Sequence, residues 1–463
     1  MNFPFWQAGD GFFGLLFILT KTLFTLTTLS AFGAGVFLAL GEKNPLFDSH
    51  SGYREFMKKF TGFVLFVVTV LGTVSYSALW IIYILTAPAT LSTIVHEFVW
   101  VWILQGFAYL LEVGSLFVLY STFNKVHKEN HVDLAWSFAI LSLITLIISN
   151  ATLSFQQTPG HWLNTLKFED AWFNASYLAS LSVRILVSVQ TGGILALLVI
   201  STLDKGKLKT EVASHAASFV IYPFILLPFA TLWFLATIDP GMVDYLAAGF
   251  SGVEEGNLSV LTRFVFLAVF SAVSVFIFTL LGAVLNADGF KRSMGFWLVI
   301  LAFTAAGSTE FVRTLLGNPY AIAGYMYNNG IKINDADQFS EGFLAKAKWT
   351  VIKEVTDENI LAAGKELYMY QFSGATVSGG YNSLFSLAKA ATNVQETLDL
   401  INQIKWGSES NLYAAYVPSF LGNDSEANAL ASYVAWKNGV FEPTPEQIAY
   451  LKKFETAPAG LVQ

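Results

Sequence analysis

Residues 261–286 read LTRFVFLAVFSAVSVFIFTLLGAVLN, with a single charged side chain, Arg263. A bilayer's hydrocarbon core of ~30 Å is crossed by about 20 apolar residues in a helix. This run satisfies that length, and so do residues 11–40, 61–87, 97–122, 133–155, 177–203, 215–237 and 294–315. The first run has no basic flank or cleavage site, so it is expected to be a span rather than a removable signal. The expected fold class is all-α: a polytopic bundle of about eight transmembrane helices over residues 1–325, followed by a small helical domain.

Composition agrees. Of 463 residues, 54% are hydrophobic and 13% charged, outside the range of soluble chains. The net charge of −7 gives a nucleic-acid partner no electrostatic support. The chain has no cysteine, which excludes disulfides, thiolate metal sites, iron–sulfur clusters and thioether-linked haem.

The loops set an orientation. One alternating set carries Lys43, Arg54, Lys58, Lys59, Lys125, Lys128, Lys205, Lys207, Lys209, Lys291 and Arg292. The opposite set carries Lys167 and little else. The positive-inside rule then places both termini outside the cytoplasm, as expected for a multi-pass protein of a bacterial inner membrane. After GNPYAIAGYMYNNGIKIND (317–335) the composition turns polar, with helical periodicity around 357–371, 383–404 and 424–436. Asn423-Asp424-Ser425-Glu426 reads as a helix start. Residues 335–463 are thus expected to form a water-soluble domain on the periplasmic face.

That domain contains ILAAGKELYMYQFSGATVSGGYN (360–382) and YVPSFLGNDSEANALASYVAWKNG (416–439). The two stretches resemble a class I c-type cytochrome, in which Gly-x-x-x-Tyr leads into Cys-x-x-Cys-His and a later Met-Pro completes the iron site. Gly364, Tyr368, Pro418, Glu426, Leu430, Ala431 and Tyr433 fit that frame. The resemblance sets Phe372 and Ala375 where the cysteines would be, Thr376 at the histidine and Val417 at the methionine. No histidine follows His215, and Met369 precedes the motif. A haem-free fold is expected, with Phe372 filling part of the space a porphyrin would leave, because a large apolar void is costly.

The membrane part resembles subunit I of cytochrome bd-type quinol oxidases through short motifs in order. They are Gln105 to Glu112 (QGFAYLLE), Ser154 to Gly160 (SFQQTPG), Phe173-Asn174, Gln190-Thr191-Gly192, Thr262 to Val265 (TRFV), and Thr309-Glu310 with Arg313 and Asn318-Pro319-Tyr320. In that family, histidines in the first and fifth helices and a methionine after a Phe-Arg pair ligate haem. The resemblance sets these on Lys21, on Val183 (or its neighbour Arg184) and on Val265, and the family's first helix-three glutamate on Gln105. The quinol-binding loop shrinks to about 238–260, holding Glu254 and Glu255. The resemblance thus implies an electron-transport complex in which this chain has lost its haem sites. No cofactor or metal is expected, with haem b or a bound quinone or lipid as the alternative.

Intramembrane charges are costly and rarely idle. Lys21 lies roughly 15 Å into the first helix and Glu112 about 22 Å into the third, so the two are expected to approach each other. A paired charge filling haem-sized space competes with a proton-path remnant. Arg184 is expected to reach Glu169 or Asp170 or to snorkel, and Glu310 and Arg313, three apart, to pair along one face. His50, His127 and His131 are expected in cytoplasmic loops. His127 and His131, four apart, would share a metal if helical, but with no acidic partners nearby a solvated loop is the expected state. His96 and His215 fall on opposite faces, and a lone haem on His96 and His161 stays open. Gly33-Ala34-Gly35 points to close helix packing. Trp406, Trp436, Tyr381, Tyr413 and Tyr416 are either partner contacts or the domain core.

Three functions follow. The first is a haem-free accessory subunit, not an enzyme by itself. It would pack against a haem-bearing paralogous subunit and dock a periplasmic cytochrome or enzyme. The second is a haem b-bearing quinol oxidase or electron-transfer subunit with atypical ligands. The third is a proton-conducting subunit of an energy-coupling complex, motivated by Lys21, Gln105 and Glu112.

Overall fold

The computed structural model describes residues 12–251, 259–372, 383–408 and 417–456. Among the described residues, eight helices are long and apolar enough to cross a membrane: Leu15–Lys43, Ser51–Leu85, Val99–Ser121, Lys128–Gln157, Tyr177–Ile200, Lys207–Leu235, Val260–Val284 and Arg292–Gly317. The chain is an all-α polytopic membrane bundle with one short antiparallel hairpin, Tyr320–Ile322 with Met326–Tyr327, among the described residues. Three spans begin earlier than hydropathy alone predicts, at Ser51, Lys128 and Lys207. The reason is visible in Ser51–Leu65. This segment buries Tyr53, Phe56, Met57 and Phe60 on one face, while Glu55 and Lys59 pair on the exposed one at 2.9 Å. Its mixed composition hides an amphipathic helix.

The described chain divides into two compact units. One comprises Ile18–Leu79 and Phe98–Leu315, and the other Met1–Phe17, Trp80–Glu97 and Leu316–Gln463. In the first unit, spans one and five cross where both present glycine. A Cβ on Gly33 would lie 2.0 Å from the Ser188 carbonyl oxygen, and one on Gly192 would lie 2.4 Å from the Gly33 carbonyl carbon. The Ser188 hydroxyl donates to the Leu29 carbonyl across this crossing. Inside a bilayer the gain on helix association is close packing rather than release of water, so bare backbone contact matters there. Beyond the crossing, Phe37, Phe56, Phe60, Phe138, Leu197 and Val220 form the core.

The second span is not α-helical throughout. Residues Phe66–Leu71 form a π-turn. Such a turn loosens the carbonyl ladder, and here the Tyr109 hydroxyl of the third span donates to the Val68 carbonyl at 3.0 Å.

The second unit packs helices Ile360–Phe372, Val394–Gln403, Asp424–Lys437 and Pro445–Thr456. Asn423 starts the third of these with a capping box. Its side chain accepts from the Glu426 amide, and the Glu426 carboxylate accepts from the Asn423 amide. Helices Ile360–Phe372 and Asp424–Lys437 cross at Gly364, where a Cβ would meet the Ala429 carbonyl oxygen at 2.0 Å. Helix Pro88–Glu97 belongs to this unit. Thr90 donates to the Asn328 carbonyl at 3.0 Å, and Gly330, at φ +80, lies against Ala89.

Candidate functional site

Three spans bring charge together inside the first unit, and a fourth adds neutral polar groups. Glu310, 7% exposed, is the centre. Its Oε2 accepts from Arg313 Nε at 3.0 Å and Nη2 at 2.8 Å, one helical turn on. Lys21 Nζ of the first span stands 3.4 Å from the same oxygen and donates to Thr314 Oγ1 at 3.0 Å. Thr25 Oγ1 donates to Glu310 Oε1 at 3.2 Å. From the fourth span, Gln157 donates to the Arg313 carbonyl at 3.4 Å. Arg184 of the fifth span donates to Ser149 Oγ at 3.5 Å, and its buried Nε has no partner among the described residues. This arrangement holds one carboxylate among three cations.

The pairing corrects two expectations. Lys21 meets Glu310, not Glu112, because the eighth span brings its last turns to the first turns of the first span. Arg184 turns to Ser149 rather than to Glu169 or Asp170. Asp170 instead accepts from Thr165 at 2.5 Å. Glu310 and Arg313 pair as their spacing predicts. Glu112 lies apart, 3% exposed, facing the hydroxyls of Ser142 and Thr145 on the fourth span, and no cation pairs with it among the described residues. The Thr145 hydroxyl also donates to the Leu141 carbonyl at 3.1 Å. Gln105 is half-buried two turns before Glu112, and Arg263 is exposed in the first turn of the seventh span. Val183 and Val265 are half-buried and offer no donor atom.

A second buried pair was invisible in the sequence. His131 Nδ1 stands 2.7 Å from Glu42 Oε2, and His131 Nε2 stands 2.9 Å from the Leu119 carbonyl oxygen. The carbonyl only accepts, so Nε2 carries a proton. Nδ1 then either donates to a carboxylate as part of an imidazolium or accepts from a protonated Glu42. Glu42 Oε1 is buried without a partner among the described residues. His131 is therefore a packed helical residue, not a solvated loop histidine, because the span starts at Lys128. His215 is half-buried between the rings of Phe37 and Phe219, at 5.4 and 5.5 Å. His96 Nδ1 bonds the Ser92 carbonyl at 2.6 Å.

In the second unit, Phe372 and Val417 are 3% and 2% exposed and belong to one apolar core with Tyr368, Leu430 and Tyr433. Phe372 stacks on Tyr368, with ring centroids 6.4 Å apart. Ala375, Thr376, Tyr381, Tyr413 and Tyr416 lie outside the described residues, as do Glu254 and Glu255. Trp406 and Trp436 pack on the core, and Trp406 Nε1 donates to Asp337 at 2.7 Å. Gln371 exchanges two hydrogen bonds with the Leu421 backbone, at 2.7 and 2.8 Å. Glu366 accepts from the amides of Val351 and Ile352 at 2.6 and 2.9 Å. Burial nevertheless pushes its carboxyl up to about 7, against the pull of those two amides.

No protein-family model and no curated relative matches the chain. Among solved structures it is similar to the bd oxidase from Geobacillus thermodenitrificans, with a TM-score of 0.56 at 15% identity, over 68% of this chain and 88% of that one. The likeness is one of fold. That fold raises the question of haem, and the side chains at the positions the sequence resemblance sets for iron ligands do not suit it. Iron takes imidazole, thioether, thiolate or phenolate ligands. Lys21 is committed to Glu310 and Thr314, and Val183 and Val265 have no lone pair to give. Among the described residues no three His, Asp or Glu side chains gather into a metal site.

Proposed function

We propose that this chain is a haem-free accessory subunit of a membrane-bound respiratory electron-transfer complex. It packs against a haem-bearing paralogous subunit, and its C-terminal domain, residues 335–463, lies on the periplasmic side and docks a redox partner. The observation that carries this reading is the engagement of Lys21. The residue aligned with an iron-ligating histidine is held by Glu310 and Thr314, inside a cluster that fills the place with charge. The bd oxidase fold supports membership of such a complex. The cytochrome c-like reading of the C-terminal domain is supported by Gly364, Tyr368, Leu430 and Tyr433. These residues carry the resemblance, and they also sit at or beside the crossing of helices Ile360–Phe372 and Asp424–Lys437.

An optical spectrum of the chain, freed of every co-purifying subunit, tests the proposal. The expected spectrum has no Soret band, while the separated partner fraction has one. A Soret band that stays with this chain overturns the reading and restores the haem b alternative. Buried Glu112, which has no cation partner among the described residues, favours proton conduction as a second reading. Unchanged proton flux and assembly in Lys21→Met and Glu112→Gln would remove it.

A further inference from the structure

We propose that Arg184, together with Lys21 and Arg313, forms a binding site for a tetrahedral oxyanion, either the phosphate of a membrane phospholipid headgroup or free phosphate. The cluster holds three cations and, among the described residues, one carboxylate. Both Glu310 oxygens are already engaged. Oε2 takes both Arg313 donors and faces Lys21, and Oε1 takes Thr25. Arg184 is left with one hydroxyl at 3.5 Å, although a guanidinium carries five donors in a planar fork. Its Nε is buried with no partner among the described residues, yet the side chain lies within electrostatic reach of Glu310 and Arg313. A half-buried guanidinium with a buried, weakly partnered Nε inside a membrane span is costly. A phosphate answers it with two oxygens in the fork geometry that Arg matches best.

Depth favours the lipid as the source. At 1.5 Å per residue, Arg184 is about 10 Å from the start of its span at Tyr177 and Lys21 about 9 Å from Leu15. Arg313 is about 6 Å from the end of its span at Gly317. These spans have 24, 29 and 26 residues. At that rise they are roughly 36–44 Å long, against a hydrocarbon core of ~30 Å, so several ångströms of each stand in the headgroup layer. The cluster therefore sits near the boundary between acyl chains and headgroups, where a lipid phosphate can reach it. This inference concerns binding alone and stands apart from the electron-transfer reading.

The test uses the full chain, delipidated in dodecyl maltoside, and follows thermal unfolding with three additions. These are mixed micelles of dioleoyl phosphatidylglycerol, dioleoylglycerol as the lipid lacking phosphate, and inorganic phosphate. Phosphatidylglycerol is expected to raise the midpoint by roughly 4 °C, as a saturating ligand does, and dioleoylglycerol to leave it unmoved. Arg184→Gln should lose most of the rise and Arg184→Lys about half, while Arg263→Gln, an exposed cation outside the cluster, keeps it. A rise with inorganic phosphate alone upholds the oxyanion site and rejects the lipid as its source. The proposal is overturned if Arg184→Gln responds like the parent chain, if dioleoylglycerol acts as strongly as phosphatidylglycerol, or if neither phosphate source shifts the parent. Should Arg184→Gln fail to fold, an undiminished rise in Arg184→Lys is the overturning result.

Discussion

Glu310 in the bundle and Glu366 in the C-terminal unit are both buried carboxylates, but they are met by different chemistry. Glu310 is held by side-chain cations from two spans. Glu366 is held by two backbone amides, and Glu426 by three, those of Asn423, Phe343 and Leu344, at 3.1, 2.8 and 2.7 Å. A membrane-spanning helix spends nearly all its N–H groups on its own turns, so a charge there must find side chains from other spans. The C-terminal unit has short helices and loops whose unspent amides meet its buried carboxylates. The same division shows at Lys21, which stands beside a carboxylate in the bundle, and at Phe372 and Val417, which pack in the apolar core of the C-terminal unit.

The comparison can be broken most sharply at Glu310. Glu310→Ala leaves Lys21 and Arg313 without their carboxylate and should cost about 3–5 kcal/mol. The check is a lower melting temperature in detergent and reduced recovery of monodisperse protein, with Glu310→Asp retaining part of the loss. In the C-terminal unit the equivalent blow is a cavity. Phe372→Ala should cost about 3–4 kcal/mol and expose that unit to protease, while the bundle still runs as a folded species on size exclusion. Bundle and unit failing together would break the claimed division.

The amide-held carboxylate makes a pH prediction. The Glu366 carboxyl sits near 7 when folded, above its unfolded value of 4.5. Between these values the folded chain binds more protons than the unfolded one, so the unit loses stability as pH rises from about 4.5 to 7, by up to about 2–3 kcal/mol. Pulse proteolysis of the full chain in urea across this range should show that fall, and Glu366→Gln should flatten it. The smallest effect is expected at Tyr109. Tyr109→Phe removes the donor to the Val68 carbonyl and should lower the melting temperature of the bundle by an amount worth about 1 kcal/mol.

Much of the bundle was legible because lipid imposes a simple demand on length and hydropathy. What escaped were the polar first turns at Ser51, Lys128 and Lys207, whose apolar faces alternate with charge. The members of the ion cluster, Lys21, Arg184, Glu310 and Arg313, each stood out as intramembrane charges. Their convergence did not, because depth arithmetic along parallel helices matched Lys21 to Glu112 and says nothing about which spans are neighbours. Glu310 with Arg313 was readable because three residues on one helix is a local relation. Glu42 with His131 was not, although His131, Val132, Ala135 and Phe138 already follow a helical apolar rhythm into the span. In the C-terminal unit, Asn423 and Glu426 announced a helix start through local capping chemistry, whereas the amide partners of Glu366 come from a distant loop.

The π-turn at Phe66–Leu71 also works as a rotational offset. An α-helix turns about 100° per residue, so the one additional residue in this turn sets everything after it about a quarter-circle from where an unbroken helix would aim it. Ser75, which is buried, and Tyr76, whose ring lies 5.4 Å from Phe24, owe their facing to that offset. Deleting a single residue between 66 and 71 would leave a continuous apolar helix of nearly the same length and hydropathy. It would nevertheless swing Tyr76 away from the first span, a defect of angle that no hydropathy profile would register.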